Sequence, residues 1–187
     1  MNANADKQTE KSKHSKLSTL LEEITSPLIG KLHKYEFNTW WKSKPLTIPY
    51  WNHQELEIIY IDYSPNKDHT FASEADSALQ HFLSKTSLDR LAVTNIIYKH
   101  YRNTYKKTRN KAEFKSNCPI HKPSDVWSYL YPREIQIKRG DIDSDHRIFI
   151  GIYCDNEYIL NQGCYLIYDA DGHFFDYKED TGYIYER

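Results

Sequence analysis

Six glycines in 187 residues leave little material for a glycine-rich phosphate loop, and no such loop is present. The cysteines number three, Cys118, Cys154 and Cys164, so they cannot all pair with one another, and small thiols in apolar surroundings fit a reducing cytoplasm. No apolar run approaches membrane-spanning length, and the N-terminus MNANADKQTEKSKHSK has no apolar h-region, which argues against a membrane protein and against export by the general secretory route. The nine histidines are scattered singly, and no motif places a nucleophile or carboxylate beside a base. No internal repeat is found. Nothing in this pattern specifies a catalytic residue or a cofactor site.

What the chain has in quantity is tyrosine, sixteen of them with four tryptophans, side chains that pack at one end and hydrogen-bond at the other. Charge is nearly balanced at −1 but unevenly placed. Residues 1–124 carry 19 Lys and Arg against 13 Asp and Glu, whereas residues 125–187 carry 6 against 13.

The centre of the pattern is Arg147 to Tyr168, RIFIGIYCDNEYILNQGCYLIY, two apolar strands with a short polar connection. Ile148, Ile150, Ile152 and Cys154 fall on one face and Phe149 and Tyr153 on the other with Gly151, where a bulge or a close backbone approach is expected. Before this pair, residues 1–16 read as a disordered tail, and Leu17, Leu20, Leu21, Ile24 and Leu28 keep the spacing of one helical face, stopped by Pro27 and Gly30. Strands follow from Lys34 to Tyr63, with an edge strand or bend between Pro45 and Pro49, and Ser64-Pro65-Asn66 turns the chain. Ser73 is the expected N-cap of a helix whose stripe is Ala75, Ala78, Leu79, Phe82 and Leu83. Thr86 or Ser87 caps the next, in which Leu88, Leu91, Ala92, Val93, Ile96, Ile97 and Tyr98 surround the axis, so it is expected to be sandwiched between the sheet and the preceding helix. A turn around Val126 and Trp127, a strand through Ile135 and Ile137, and an Asp169-Ala170-Asp171-Gly172 hairpin complete the order. The expected fold is a single α+β domain over residues 17–187, a mostly antiparallel sheet with helices packed on one side.

Three constellations resemble sites. Cys118-Pro119-Ile120-His121 has metal-like spacing, but a structural zinc needs a second pair and none exists. Asp141, Asp143 and Asp145 resemble the start of a calcium loop, yet His146 stands where that loop needs glycine and Ile152 where it needs glutamate. No metal is therefore expected. Lys99 to Lys122 is the most basic stretch, and with Tyr101, Tyr105 and Phe114 it offers a nucleic-acid track with stacking residues, or else a solvated helix end.

The succession GKLHKYEFNTWWKSKPLTIPYW, ELEIIYIDY, SLDRLAVTNIIYKHYRNTY and GIYCDNEYILNQGCYLIYDADG resembles a family of small bacterial domains of unknown function, over most of residues 30–180. In that family the cysteine precedes an aromatic-acidic-histidine-glycine run. Here Cys154, Glu157 and Gly163 remain and no histidine lies between them, which removes any borrowed metal or acid–base role. The resemblance implies an immunity-like protein, a stoichiometric binder of a cognate bacterial toxin with no turnover and no cofactor. Toxins that cut or bind nucleic acid tend to have basic clefts, so the acidic last third supplies the expected partner-binding residues: Asp141, Asp143, Asp145, Asp155, Glu157, Asp169, Asp171, Asp176, Glu179 and Asp180, with Tyr158, Tyr168 and Tyr177 as aromatic anchors. The alternative is a nucleic-acid-binding module using Lys99 to Lys122.

Overall fold

The computed structural model describes residues 22–35, 37–108, 120–140, 146–157 and 163–179. Among these residues nine strands join into one mixed sheet, with two α-helices and three short 3-10 helices. The strands are β1 (Glu23–Ser26), β2 (Gly30–Tyr35), β3 (Phe37–Ser43), β4 (Leu46–Ile48), β5 (Gln54–Tyr60), β6 (Leu130–Arg139), β7 (Ile148–Asn156), β8 (Gly163–Asp169) and β9 (Phe174–Glu179). Their order is β1-β2-β3-β5-β6-β7-β8-β9, with β4 beside β5. All these pairings are antiparallel except β5 with β6. A parallel neighbour needs a long crossover, and α1 (Phe71–Leu83) and α2 (Arg90–Thr108) lie in it.

The expected central pair is β7 and β8, in antiparallel register from Phe149↔Asp169 to Asp155↔Gly163. Ile148, Ile150, Ile152 and Cys154 join the large core with Phe71, Ala75, Ala78, Leu79 and Phe82 of α1 and Val93, Ile97 and Tyr101 of α2. Phe149 packs on the opposite face with Tyr165, Ile167 and Tyr153, a cluster of strand residues only. Gly151 does not mark a bulge. It pairs in unbroken register with Gln136 and Ile167. The irregularities in the pairings of β6 with β7 and of β8 with β9 fall instead at Pro132–Glu134, where proline lacks an N–H for the ladder, and at Ile167–Tyr168.

Two expectations about helix starts are corrected. Leu17, Leu20 and Leu21 lie outside the described residues, but Glu23–Ser26 is a strand, paired with β2. Ser26 explains the choice: its Oγ accepts the Ile29 N–H at 3.0 Å, bending the chain back through Pro27, and donates to Asp76 of α1 at 2.6 Å. Ser73 is inside the first turn of α1, its Oγ donating to the Thr70 carbonyl. The capping oxygen belongs to Asp68, whose carboxylate accepts the Phe71 N–H at 3.0 Å.

Strands β3 and β4 occupy the same side of β5 but in registers that differ by one residue. Pro45 stands in the break, and Ser43 Oγ accepts the Ile58 N–H at 3.0 Å in place of a backbone carbonyl. The 3-10 turn Pro49–Trp51 follows, burying Tyr50 and Trp51.

Arg139, at the end of β6, ties the start of α1 to the sheet. Its Nε donates to Asp68 at 2.7 Å, one terminal nitrogen to Glu74 at 2.8 Å and to the His146 carbonyl at 2.7 Å, and the other to Asp68 and Thr70, each at 3.2 Å. The hydrogen bond from Arg139 holds the Glu74 carboxyl below its ordinary range. Burial raises that of Asp68, but the Arg139 bond and charge bring it below the ordinary value on balance. Groups depressed in this way stabilise the fold above the unfolded carboxylate pKa of about 4 and lose that contribution as pH falls through the folded value. Urea midpoints should therefore drop between about pH 5 and 3, and less steeply in Arg139→Met. Equal slopes in both proteins would assign the acid sensitivity to other carboxylates.

Candidate interaction surface

Helix α2 is the element whose placement departs most from its sequence pattern. The Thr86 backbone N–H donates to Asp89 at 2.7 Å and the Leu88 N–H to Thr86 Oγ1, a capping box that fixes where the turn Ser87–Asp89 and then α2 begin. From there two arcs diverge. Arg90, Val93, Thr94, Ile97 and Tyr101 are buried, while Leu88, Leu91, Ala92, Asn95, Ile96, Lys99, Arg102, Asn103 and Lys106 are exposed. The exposed set follows the i, i+3, i+4 spacing of one face, about 27 Å long at 1.5 Å per residue. Leu88 is 75% exposed, Leu91 71% and Ile96 41%. The helix is thus covered on one side only, contrary to the sandwiched position that its all-round apolar composition suggests.

The buried arc holds α2 against the 3-10 turns Pro49–Trp51 and Pro123–Tyr129. Arg90 is 9% exposed, and its Nε donates to the Tyr50 carbonyl at 2.8 Å. Its guanidinium carbon lies 5.8, 5.4 and 5.3 Å from the ring centres of Tyr50, Trp51 and Trp127. One terminal nitrogen has no hydrogen-bond partner among the described residues, and no carboxylate pairs with the group. Burial accordingly pushes the Arg90 pKa down, against the favourable influence of Tyr50 and Tyr168. Three aromatic faces take the place of a counter-ion. One turn on, Thr94 accepts the Trp127 Nε1–H at 2.8 Å and donates to the Arg90 carbonyl at 2.7 Å. Beneath them the Tyr168 hydroxyl donates to that of Tyr50 at 2.6 Å, and burial raises the pKa of both phenols.

The exposed arc changes character along its length. Its first half is Leu88, Leu91, Ala92 and Ile96, and its second carries Lys99, Arg102 and Lys106. Among the described residues the carboxylate at the edge of this face is Asp89, at the apolar end and taken up by the Thr86 cap, and Lys99, Arg102 and Lys106 form no ion pair. Tyr101 is buried and Tyr105 half-buried, the Tyr101 ring stacked on Tyr98 and tilted against Tyr105, and both pack on the core and offer no platform to a base. Phe114, Cys118 and the rest of 109–119 lie outside the described residues.

Most described members of the acidic set expected from the sequence are taken up in local contacts. Asp141, Asp143, Asp145, Tyr158 and Asp180 lie outside the described residues. Tyr168 and Tyr177 are core residues, 2% and 3% exposed, because their strand positions point to the helical face of the sheet. They are not surface anchors. Asp155 is engaged by Arg133, Glu179 accepts the Thr104 hydroxyl at 2.7 Å, and Asp176 accepts the Tyr177 N–H at 2.9 Å. Asp169 Oδ1 accepts the N–H groups of Asp171 and His173 at 3.0 and 2.7 Å, holding the β8–β9 turn in which Gly172 has φ +76°. Asp169, Asp171 and His173 bring ligand-type atoms together on that turn, an arrangement its own hydrogen bonds account for. Glu157 and Asp171 remain exposed.

Residues 28–157, well over half of the chain, match the family described as a domain of unknown function, DUF6985. The chain belongs to this family. The matched stretch of this DUF6985 member runs from the β1–β2 turn to the end of β7 and so contains the whole of α2 and its aromatic seat. No curated protein and no solved structure matches the chain. No helix among the described residues is long and apolar enough to cross a membrane.

Proposed function

We propose that the chain is a stoichiometric protein-binding module, an immunity-type protein that neutralises a cognate bacterial toxin in the cytoplasm, and that it binds through the exposed face of α2. The observation that carries this reading is the exposure of Leu88, on the turn leading into α2, and of Leu91 and Ile96 on the helix itself, whose opposite side is pinned by Arg90 and Thr94. Large apolar side chains clustered on a rigid element favour association, because their burial is favourable and little ordering remains to be done on binding. The mechanism requires no turnover: the module occupies its partner one to one.

Leu88 and Leu91 make a direct test because both are exposed and their replacement leaves the core intact. The full chain should co-purify with the product of an adjacent gene and bind it at 1:1 stoichiometry in calorimetry. Leu88→Ser with Leu91→Ser should weaken that complex by about a hundredfold, two central contacts at ~1–2 kcal/mol each, with an unchanged circular dichroism spectrum. Unchanged affinity in the double variant would falsify the assignment of the surface.

Lys99, Arg102 and Lys106 also support a second reading, nucleic-acid binding along the same helix. With Tyr101 and Tyr105 turned inward, that mode rests on phosphate contacts alone. It therefore requires affinity for DNA or RNA that collapses between low and physiological salt and is insensitive to Leu91→Ser.

A further inference from the structure

We infer that the partner segment received by α2 is an amphipathic helix with a carboxylate-bearing N-terminal half and an apolar C-terminal half, lying antiparallel to α2. This rests on the reading that the α2 face binds protein, and it adds the chemistry and direction of what is bound. Charge sets the chemistry. Leu88, Leu91, Ala92 and Ile96 occupy one half of the face and Lys99, Arg102 and Lys106 the other, with no acidic residue among them. A matching surface must therefore be apolar opposite the first half and acidic opposite the second, and a basic or neutral segment would leave three cations facing no counter-charge.

Area excludes the apolar half as a sufficient site. Three exposed aliphatic side chains present on the order of 300 Å², against roughly 800 Å² per partner in a stable interface. The contact has to run on over Lys99, Arg102 and Lys106, whose alkyl stems extend apolar cover while their charged ends meet carboxylates. The same shortfall argues against a second copy of this face, whose bordering carboxylate, Asp89, is held at the apolar end by the Thr86 cap. Direction follows from the helix dipole. Asp and Glu are favoured in the first turns of a helix, and only an antiparallel partner places those turns beside the C-terminal half of α2. A straight helix suits the site because the small Ala92 lies between Leu88, Leu91 and Ile96 and admits close approach.

Synthetic peptides of roughly five helical turns test this without knowledge of the partner. One carries Glu in its first half and Leu at i, i+3, i+4 spacing in its second; another has Lys in place of Glu; a third has the two halves exchanged. Fluorescence anisotropy of each labelled peptide with the full chain should rank the acidic-first peptide tightest, by about tenfold or more over the other two at low salt. Lys99→Glu with Arg102→Glu and Lys106→Glu should invert the preference between the Glu and Lys peptides, and Leu91→Ser should weaken both. Equal binding of the Glu and Lys peptides, or binding of neither, overturns the inference. So does tighter binding to phosphatidylglycerol vesicles or duplex DNA than to the acidic-first peptide. Any of these outcomes, alongside a Leu88- and Leu91-dependent complex with the adjacent gene product, leaves the proposed function standing and removes only its acidic partner. Loss of the Leu dependence itself is the separate failure of that function.

Discussion

Replacing Ile150 with alanine should lower the unfolding free energy by about 2–5 kcal/mol, the range for emptying a fully buried aliphatic site. Ile150 is 0% exposed and lies on the central strand β7, paired with Ile137 of β6 and Tyr168 of β8. Both neighbouring strands are themselves held by further strands, so the backbone has little freedom to collapse into the vacated space. Urea denaturation measures the loss. The same position gives a kinetic reading: amides of Ile150 and Ile152 should be among the slowest to exchange, since strand pairing on both sides must open to release them. A loss below about 1 kcal/mol, with fast exchange along β7, would mean that the sheet is organised around another pair.

Arg90→Ala should cost about 2–4 kcal/mol, as a buried arginine contributes through its packing and its ring contacts as well as through charge. The substitution leaves the Tyr50 carbonyl without its donor and opens a space between Tyr50, Trp51 and Trp127. Arg90→Met should recover most of the loss, because an apolar chain of similar length fills the space and removes a buried cation with no counter-ion. Trp51 and Trp127 flank the site, so tryptophan fluorescence should report the opening in the alanine variant. An alanine variant within about 0.5 kcal/mol of the parent would show that the cage is ornamental to stability. The two substitutions also separate seat from face: Arg90→Met should keep the α2 surface in place, and partner binding with it.

Much of this architecture is legible in residue order. Period-2 alternation in β7 named its two faces correctly, the Asp169-Ala170-Asp171-Gly172 run announced the β8–β9 turn, and Thr86 or Ser87 announced the start of the second helix, because each of these depends on neighbours within a few residues. Membership of one mixed α+β family domain follows from the same local patterns. What only the tertiary structure decided are relations between distant residues. Glu23–Ser26 is a strand because β2 and Asp76 receive it, although Ile24 keeps helical spacing with Leu17, Leu20, Leu21 and Leu28. Tyr168 and Tyr177 lie in the core because helices cover that face of the sheet, and a tyrosine in a strand carries no mark of which face will be covered. The α2 surface was hidden for a related reason. Leu88, Leu91 and Ile96 are as apolar as Val93 and Ile97, so composition cannot say which arc is buried, and Arg90, the residue that seats the inner arc, is of a type that normally faces water. Only three rings brought from the turns at 49–51 and 123–129 make burial of that guanidinium tolerable, and their convergence is a property of the fold, absent from any local stretch of the chain.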